Sequence, residues 1–354
     1  MPFWINLYHK ISSPAGAEPS QNIQNIQYFR KKMICKSCAH YCNIEEGHTG
    51  ICGRRRVING ELQIPYGSIC SLALDPYEKK PLYHFHPGDY VLSFGNLGCN
   101  FKCAFCQNWE ISQVGKDPSV HGQEQPVTAQ QIVNLALAHR ANGIAATYNE
   151  PLISSEWVTD IFTLAKQNDQ PTCLVSNGFA SQESLDKLLP VTDAANFDLK
   201  CFTEDGYKWL GGKLQVVLDT IKIFHDAGKW IELTTLVVPN FNDSDDELKN
   251  IAEFIASLDP SIPWHVSAYH ADYKMLNGPQ RTPPERLIRA VELAQEAGLH
   301  FVYTGNIGGA AAYEDTICPQ CGCKLIERKG FKIVSNRLQK GRCPNCTALI
   351  PGRF

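Results

Sequence analysis

Between residues 90 and 304, short apolar runs alternate with longer stretches whose apolar residues recur every three or four positions. The short runs cover 90–94, 143–148, 172–176, 195–199, 230–238, 264–269 and 301–304. They are rich in β-formers and bounded by Gly, Asn or Pro, and they predict strands. The longer stretches predict helices. One follows Thr128 over 129–141. Another, over 214–227, is stopped by Gly228. Ser244 and Glu247 form a capping box before 248–258. Thr282 and Pro283 precede 286–297, which Gly298 ends. Repeated strand–helix alternation implies parallel strands joined by right-handed crossovers, hence an α/β fold. An open doubly wound sheet and a full or partial (β/α) barrel both satisfy the pattern. In either, chemistry belongs at the carboxyl ends of the strands.

The flanks differ. Residues 1–32 are polar and aperiodic and read as a poorly ordered segment. The expected organisation is this segment, a four-cysteine module over 33–60, the α/β unit over 61–310 and a second cysteine module over 311–354. No apolar run is long enough to span a bilayer, and the start lacks a basic-then-apolar leader pattern, so a cytoplasmic protein is expected, without a membrane partner. With 33 Lys+Arg against 36 Asp+Glu, the net charge of −3 gives no global attraction to nucleic acid.

The 15 cysteines change the picture, because all but Cys70, Cys173, Cys201 and Cys323 fall into three groups. Close-spaced thiols in a reducing compartment read as metal ligands. Cys318-x2-Cys321 and Cys343-x2-Cys346, with 21 residues between them, form two knuckles suited to one tetrahedral ion, zinc before iron, in a zinc-ribbon or rubredoxin-like module. Its tail is basic from Lys324 to Arg353, with only Glu327 opposing. That face fits a docking face or lid beside the barrel mouth, or a stabilising cap; a nucleic-acid partner is not expected, since few aromatics are available for stacking. Cys35, Cys38, Cys42 and Cys52 fit zinc and an auxiliary [4Fe–4S] cluster equally. The third group, Cys99-x3-Cys103-x2-Cys106, directly follows the first long strand. Three thiolates on one loop can hold three corners of a [4Fe–4S] cubane and leave one iron open. A fourth ligand, Cys70 or Cys201, would instead close the site for electron transfer, and zinc is a further alternative.

The segment Gly98-Cys99-Asn100-Phe101-Lys102-Cys103-Ala104-Phe105-Cys106-Gln107-Asn108 resembles the signature of radical S-adenosylmethionine (SAM) enzymes, and its end resembles the branch that activates glycyl-radical enzymes such as pyruvate formate-lyase. The stretches 75–85, 108–113 and 303–306, with cysteine modules at both ends, resemble the radical SAM family of the AmmeMemoRadiSam system. The resemblance implies a partial (β/α)6 TIM-like barrel flanked by cysteine-rich metal modules. It also implies SAM cleavage at a [4Fe–4S] cluster to a 5′-deoxyadenosyl radical that abstracts hydrogen. An electron donor such as flavodoxin or ferredoxin follows, with a protein as one class of substrate. Residue by residue, it implies that Phe105 meets the adenine. Tyr148-Asn149-Glu150-Pro151 stands where the family has Gly-Gly-Glu-Pro against the methionine amino group. Ser176-Asn177-Gly178 matches a Thr-Asn-Gly turn, Asp198-Leu199-Lys200 flanks the SAM carboxylate, and His265 lies near the ribose. Val175 replaces an Asp frequent in activating enzymes. The contrasting reading is a non-catalytic metal-bound scaffold that recruits protein or nucleic acid through its ribbon.

Overall fold

The structure is a computed structural model, and it describes residues 32–307 and 313–354. The expected polar segment 1–32 lies, but for its last residue, outside the described residues, as does the expected boundary between 310 and 311.

Two antiparallel ribbons come first, β1 (Lys32–Ile34) with β2 (Asn43–Glu45) and β3 (Arg56–Ile58) with β4 (Glu61–Gln63). β5 (Ser68–Ile69) leads into β6 (Ser71–Pro76), β7 (Tyr90–Gly95), the helical turn α1 (Trp109–Ser112) and β8 (Gln125–Pro126), which pairs back to β5. The main alternation then runs α2 (Ala129–Ala138), β9 (Ile144–Ala146), α3 (Ser155–Gln167), β10 (Thr172–Ser176), α4 (Gln182–Leu188), β11 (Ala194–Asp198), α5 (Glu204–Leu210), α6 (Leu214–Asp226), β12 (Trp230–Val237), α7 (Asp245–Leu258), β13 (Trp264–Ala268), α8 (Pro284–Glu296) and β14 (Val302–Gly305).

The large sheet has the order β14-β13-β12-β11-β10-β9-β7-β6, with β6 antiparallel and the other seven strands parallel. The order never reverses along the chain, as a doubly wound sheet would require. Successive crossovers of one hand then put every helix on the same face, which gives a partial barrel left open between β14 and β6. Alternate side chains serve two cores. Leu92, Phe94, Leu174, Phe197, Leu233 and Val266 face the helices. Val91, Ala145, Cys173 and Ala194 face inward onto Tyr77, Leu82 and Phe85, which plug the barrel.

Several local expectations are revised. The strand expected over 143–148 is only three residues long, because Gly143 (φ +121°) and Tyr148 (φ +73°) leave the extended region. Ser244 does cap α7 by accepting from the Glu247 amide at 3.2 Å, but the Glu247 carboxylate turns away to accept from the Phe202 amide. Thr282 does not cap α8: its hydroxyl accepts from Tyr269 N at 2.9 Å, and Pro283 takes the cap position. β6 escapes the sequence pattern because Ser-Leu-Ala-Leu-Asp-Pro has no clean alternation, and its proline sits on an edge strand, where no ladder bond is lost.

The carboxyl-terminal module is a three-stranded antiparallel sheet, β15 (Thr316–Ile317), β16 (Lys324–Lys329) and β17 (Lys332–Asn336). Leu325, Ile326 and Ile350 share a core with Tyr83, Phe301 and Tyr303 of the barrel. The segment 77–89 enters β7 and Phe301 precedes β14, so this contact lies at the amino ends of the parallel strands. The module therefore sits opposite the mouth, not beside it as the docking or lid reading expected. Arg328 pins the junction. Its side chain is 0% exposed, donates to Tyr83 O at 2.9 Å and Thr316 Oγ1 at 2.8 Å, and lies 3.8 Å from Glu78. Burial pushes the Glu78 carboxyl up to about 7 in spite of that guanidinium.

Candidate active site

Gly98 explains how the cysteine loop folds after β7. Its φ is +95°, and a Cβ there would lie 2.8 Å from Cys52 O and 2.4 Å from Arg54 Cγ. The loop is thereby pressed against the amino-terminal cysteine module at the carboxyl end of the sheet. Asn149 ties it to the next strand. The Asn149 side chain accepts from Asn96 N and donates to Gly98 O, both at 3.0 Å. The Tyr-Asn pair in place of two glycines thus has a structural account. Tyr148 holds φ +73° at a cost on the order of 1 kcal/mol, while Asn149 supplies a cross-link that glycine lacks.

Burial pushes the three loop thiols up, Cys103 to about 11, while the Lys116 ammonium pulls all three down and Lys200 pulls down Cys103 and Cys106. Lys116, which no spacing motif marks, donates to Cys99 O at 2.8 Å and Phe101 O at 2.5 Å. Lys200 pairs with Asp198 at 3.0 Å. Burial alone would lower its pKa, but Asp198 and Cys103 hold it above the ordinary value. Two cations beside one buried and two half-buried thiols suit a bound, negatively charged thiolate set. Cys70 donates to Gly95 O at 3.4 Å and Cys201 to Thr203 O at 3.8 Å, so both candidate fourth ligands are engaged by local backbone.

Glu150 closes the strand-end cluster. Its carboxylate accepts from Leu152 N at 3.0 Å, Ser176 Oγ at 2.7 Å and Asn177 N at 2.8 Å. Burial nevertheless pushes it up to about 7 against those bonds. The Asn177 amide donates to Asn100 Oδ1 at 2.7 Å. Asn149, Glu150, Ser176, Asn177, Asp198 and Lys200 therefore gather around the cysteine loop. Phe105 lies in that loop with its ring packed against Trp209 and Phe241. His265 does not join them. It is the second residue of β13, bonds Glu232 at 2.7 Å and packs on Tyr83 and Tyr303 near the barrel floor.

The other cysteines separate by geometry. Sulfurs about 2.3 Å from one zinc stand about 3.8 Å apart. Cys318 and Cys346 lie 3.6 Å apart, as do Cys321 and Cys343. Among the described residues, only this quartet brings three or more ligand atoms all within 4.8 Å of one another. A four-thiolate site for one metal ion is thus in place at the carboxyl terminus. In the amino-terminal group, Cys35, Cys38 and Cys52 are buried and Cys42 is half-buried.

A family model described as the radical SAM superfamily matches residues 96–255, from the cysteine loop into α7. The chain carries a radical SAM superfamily domain. Its relatives include "Uncharacterized protein MJ0808" of Methanocaldococcus jannaschii, 41% identical over 319 residues, which span 89% of this chain and 94% of that protein. Pyruvate formate-lyase-activating enzyme of Staphylococcus aureus (strain USA300) is a distant homologue, 27% identical over 189 residues, 49% of this chain and 72% of that enzyme. Among solved structures, a domain of pyruvate-formate lyase-activating enzyme from Bacteroides vulgatus ATCC 8482 aligns with a TM-score of 0.41 and 21% identity, over 47% of this chain and 100% of that one. Radical SAM proteins carry an iron–sulfur cluster and SAM, and the three-thiol loop with its cations fits that pair. No helix among the described residues is long and apolar enough to cross a membrane.

Proposed function

We propose that this radical SAM protein is an enzyme that binds a site-differentiated [4Fe–4S] cluster through Cys99, Cys103 and Cys106, and binds SAM across the carboxyl ends of β9, β10 and β11. Bound there, the pair would supply one electron to a carbon–sulfur bond and a 5′-deoxyadenosyl radical for hydrogen abstraction. The observation that carries the reading is the convergence of three thiols, two cations and the Glu150–Ser176–Asn177 network on one loop.

The chain's own residues divide the work. Asn149 and Lys116 hold the loop backbone. Glu150 offers a carboxylate to the SAM amino group. Lys200 offers a cation to the SAM carboxylate, and its pairing with Asp198 keeps it charged. Phe105 contributes backbone to the adenine. The plugged floor closes the barrel from the opposite end and limits water entry. His265 is reassigned to that floor. The relationship to an activating enzyme supports hydrogen abstraction from a protein substrate. One bound zinc belongs to the carboxyl-terminal quartet, and the reducing cytoplasm suits both metals. The test is anaerobic reconstitution with iron and sulfide, reduction, and assay of SAM cleavage to 5′-deoxyadenosine. Intact SAM under those conditions contradicts the assignment.

A further inference from the structure

The amino-terminal module is built into the carboxyl-end rim of the barrel. Ser37 donates to Leu152 O at 2.5 Å, just after Glu150, and Ser184 donates to Ser37 O at 2.6 Å. His40 Nε2 bonds the Asn100 carbonyl at 2.9 Å. This seating places the module directly beside the radical SAM loop, whereas the carboxyl-terminal module is seated at the opposite end of the barrel.

Asn100 joins the two cysteine groups. Its Oδ1 lies 3.8 Å from Cys99 Sγ. Its Nδ2 is buried and has no hydrogen-bond partner, and its backbone carbonyl is bonded by His40, two residues after Cys38. Asn100 is 0% exposed. A buried donor without a partner is destabilising unless something accepts from it. A cluster-bound thiolate at Cys38 would be that acceptor. Backbone amides already aim at the other sulfurs, as Arg55 N does at Cys52 Sγ, 3.5 Å away.

Sulfur spacing separates the two metals that the amino-terminal motif leaves open. One ion draws four sulfurs together, as in the carboxyl-terminal quartet, where pairs stand 3.6 Å apart. A cubane places each thiolate on a different iron, so the sulfurs stand farther apart. Among the described residues, no three of Cys35, Cys38, Cys42 and Cys52 have their sulfurs all within 4.8 Å of one another, and the same holds for Cys99, Cys103 and Cys106. Among the described residues, the amino-terminal group thus lacks the one-ion spacing of the carboxyl-terminal quartet, as the cluster loop does. Arg55 is buried and paired with Glu156 at 2.9 Å through both of its terminal nitrogens, which fixes the backbone beside Cys52.

We infer that Cys35, Cys38, Cys42 and Cys52 hold a second [4Fe–4S] cluster, fully cysteine-ligated, that passes electrons through the Asn100 contact to the cluster at Cys99, Cys103 and Cys106. Three of its ligands are buried, and Cys42 is the corner nearest solvent. One electron arrives there from a reduced ferredoxin or flavodoxin, which is oxidised by one electron. The same electron then moves to the loop cluster, which is reduced by one, and the second cluster returns to its resting state. No bond or proton is exchanged. The inference rests on the radical SAM reading of the loop for its electron acceptor, but the second cluster is measurable without it.

The test uses the full chain, purified anaerobically, with Cys99, Cys103 and Cys106 all replaced by Ala. The expected result is about four irons and four sulfides per chain, with a reduced-state EPR signal that added SAM does not alter. A triple variant without iron, or wild type carrying two zincs per chain, overturns the inference. Should the triple variant misfold, wild type decides: its reduced EPR spectrum should show two interacting clusters, and Cys42→Ser should alter only the one that SAM leaves unchanged. In Cys42→Ser, reduction of the loop cluster by reduced flavodoxin should slow about tenfold, and reduction by dithionite should not. An unchanged flavodoxin rate rejects the relay. If the radical SAM reading alone is wrong, the triple variant keeps its iron while wild type leaves SAM intact.

Discussion

Glu150 receives three donors and needs a full carboxylate, because Oε1 accepts from Leu152 N and Ser176 Oγ and Oε2 from Asn177 N. Glu150→Gln preserves shape but turns an NH2 group toward at least one of those donors, leaving a buried clash worth about 1–3 kcal/mol. The expected outcome is a dissociation constant for SAM raised at least about tenfold, measured by equilibrium dialysis on the reconstituted protein, with cluster absorbance unchanged. An unaltered affinity would remove Glu150 from the site. The cysteines and the Asn149–Glu150, Ser176–Asn177 and Asp198–Lys200 pairs were legible in the sequence because spacing and strand-end position mark them. Asn100 and Lys116 were not. Their roles depend on where loops pack, and no local pattern encodes that. His265 misled for another reason: its role came from the resemblance alone, although the strand expected over 264–269 already put it at the amino end.

At the scale of elements, the carboxyl-terminal module behaves as part of the barrel. Tyr83, Phe301 and Tyr303 are buried partly by it, and each large side chain is worth about 1.5–3 kcal/mol on burial. Deleting the chain from Cys318 onward should therefore yield insoluble protein or protein unable to hold its clusters. A soluble truncation that still cleaves SAM would show that the module is dispensable. His84 reports on the same junction. It bonds Pro351 O at 2.7 Å and Tyr303 at 2.6 Å, and burial, with Arg328 and His265, pushes its pKa down to about 4 although Glu232 opposes this. A base whose pKa is depressed on folding binds protons more readily when unfolded, so its contribution to stability is lost as pH falls from about 6.5 toward 4. Between pH 6.5 and 4.5, urea unfolding of wild type should lose on the order of 2 kcal/mol more than unfolding of His84→Asn. Equal losses would contradict this. Both cysteine modules stand out by spacing, and the carboxyl-terminal one brings its four thiols within reach of a single metal ion. Their placement at opposite ends of the barrel was not, since it follows from the antiparallel β6 and the segment 77–89 that returns along the floor, neither of which has a clean period.

For the whole molecule, the account is a partial barrel with its radical chemistry at one end and a metal-stapled floor at the other. Anaerobic protein should be brown and should bleach in air as the open iron is lost, while one zinc per chain remains in the carboxyl-terminal quartet; metal analysis of air-exposed protein without zinc would contradict the ribbon. The measurement closest to the central claim is SAM turnover by the reconstituted, dithionite-reduced chain, followed as 5′-deoxyadenosine and methionine. The account predicts stoichiometric or greater cleavage by wild type and none by Cys103→Ala. Intact SAM with wild type, or full cleavage by Cys103→Ala, would contradict it.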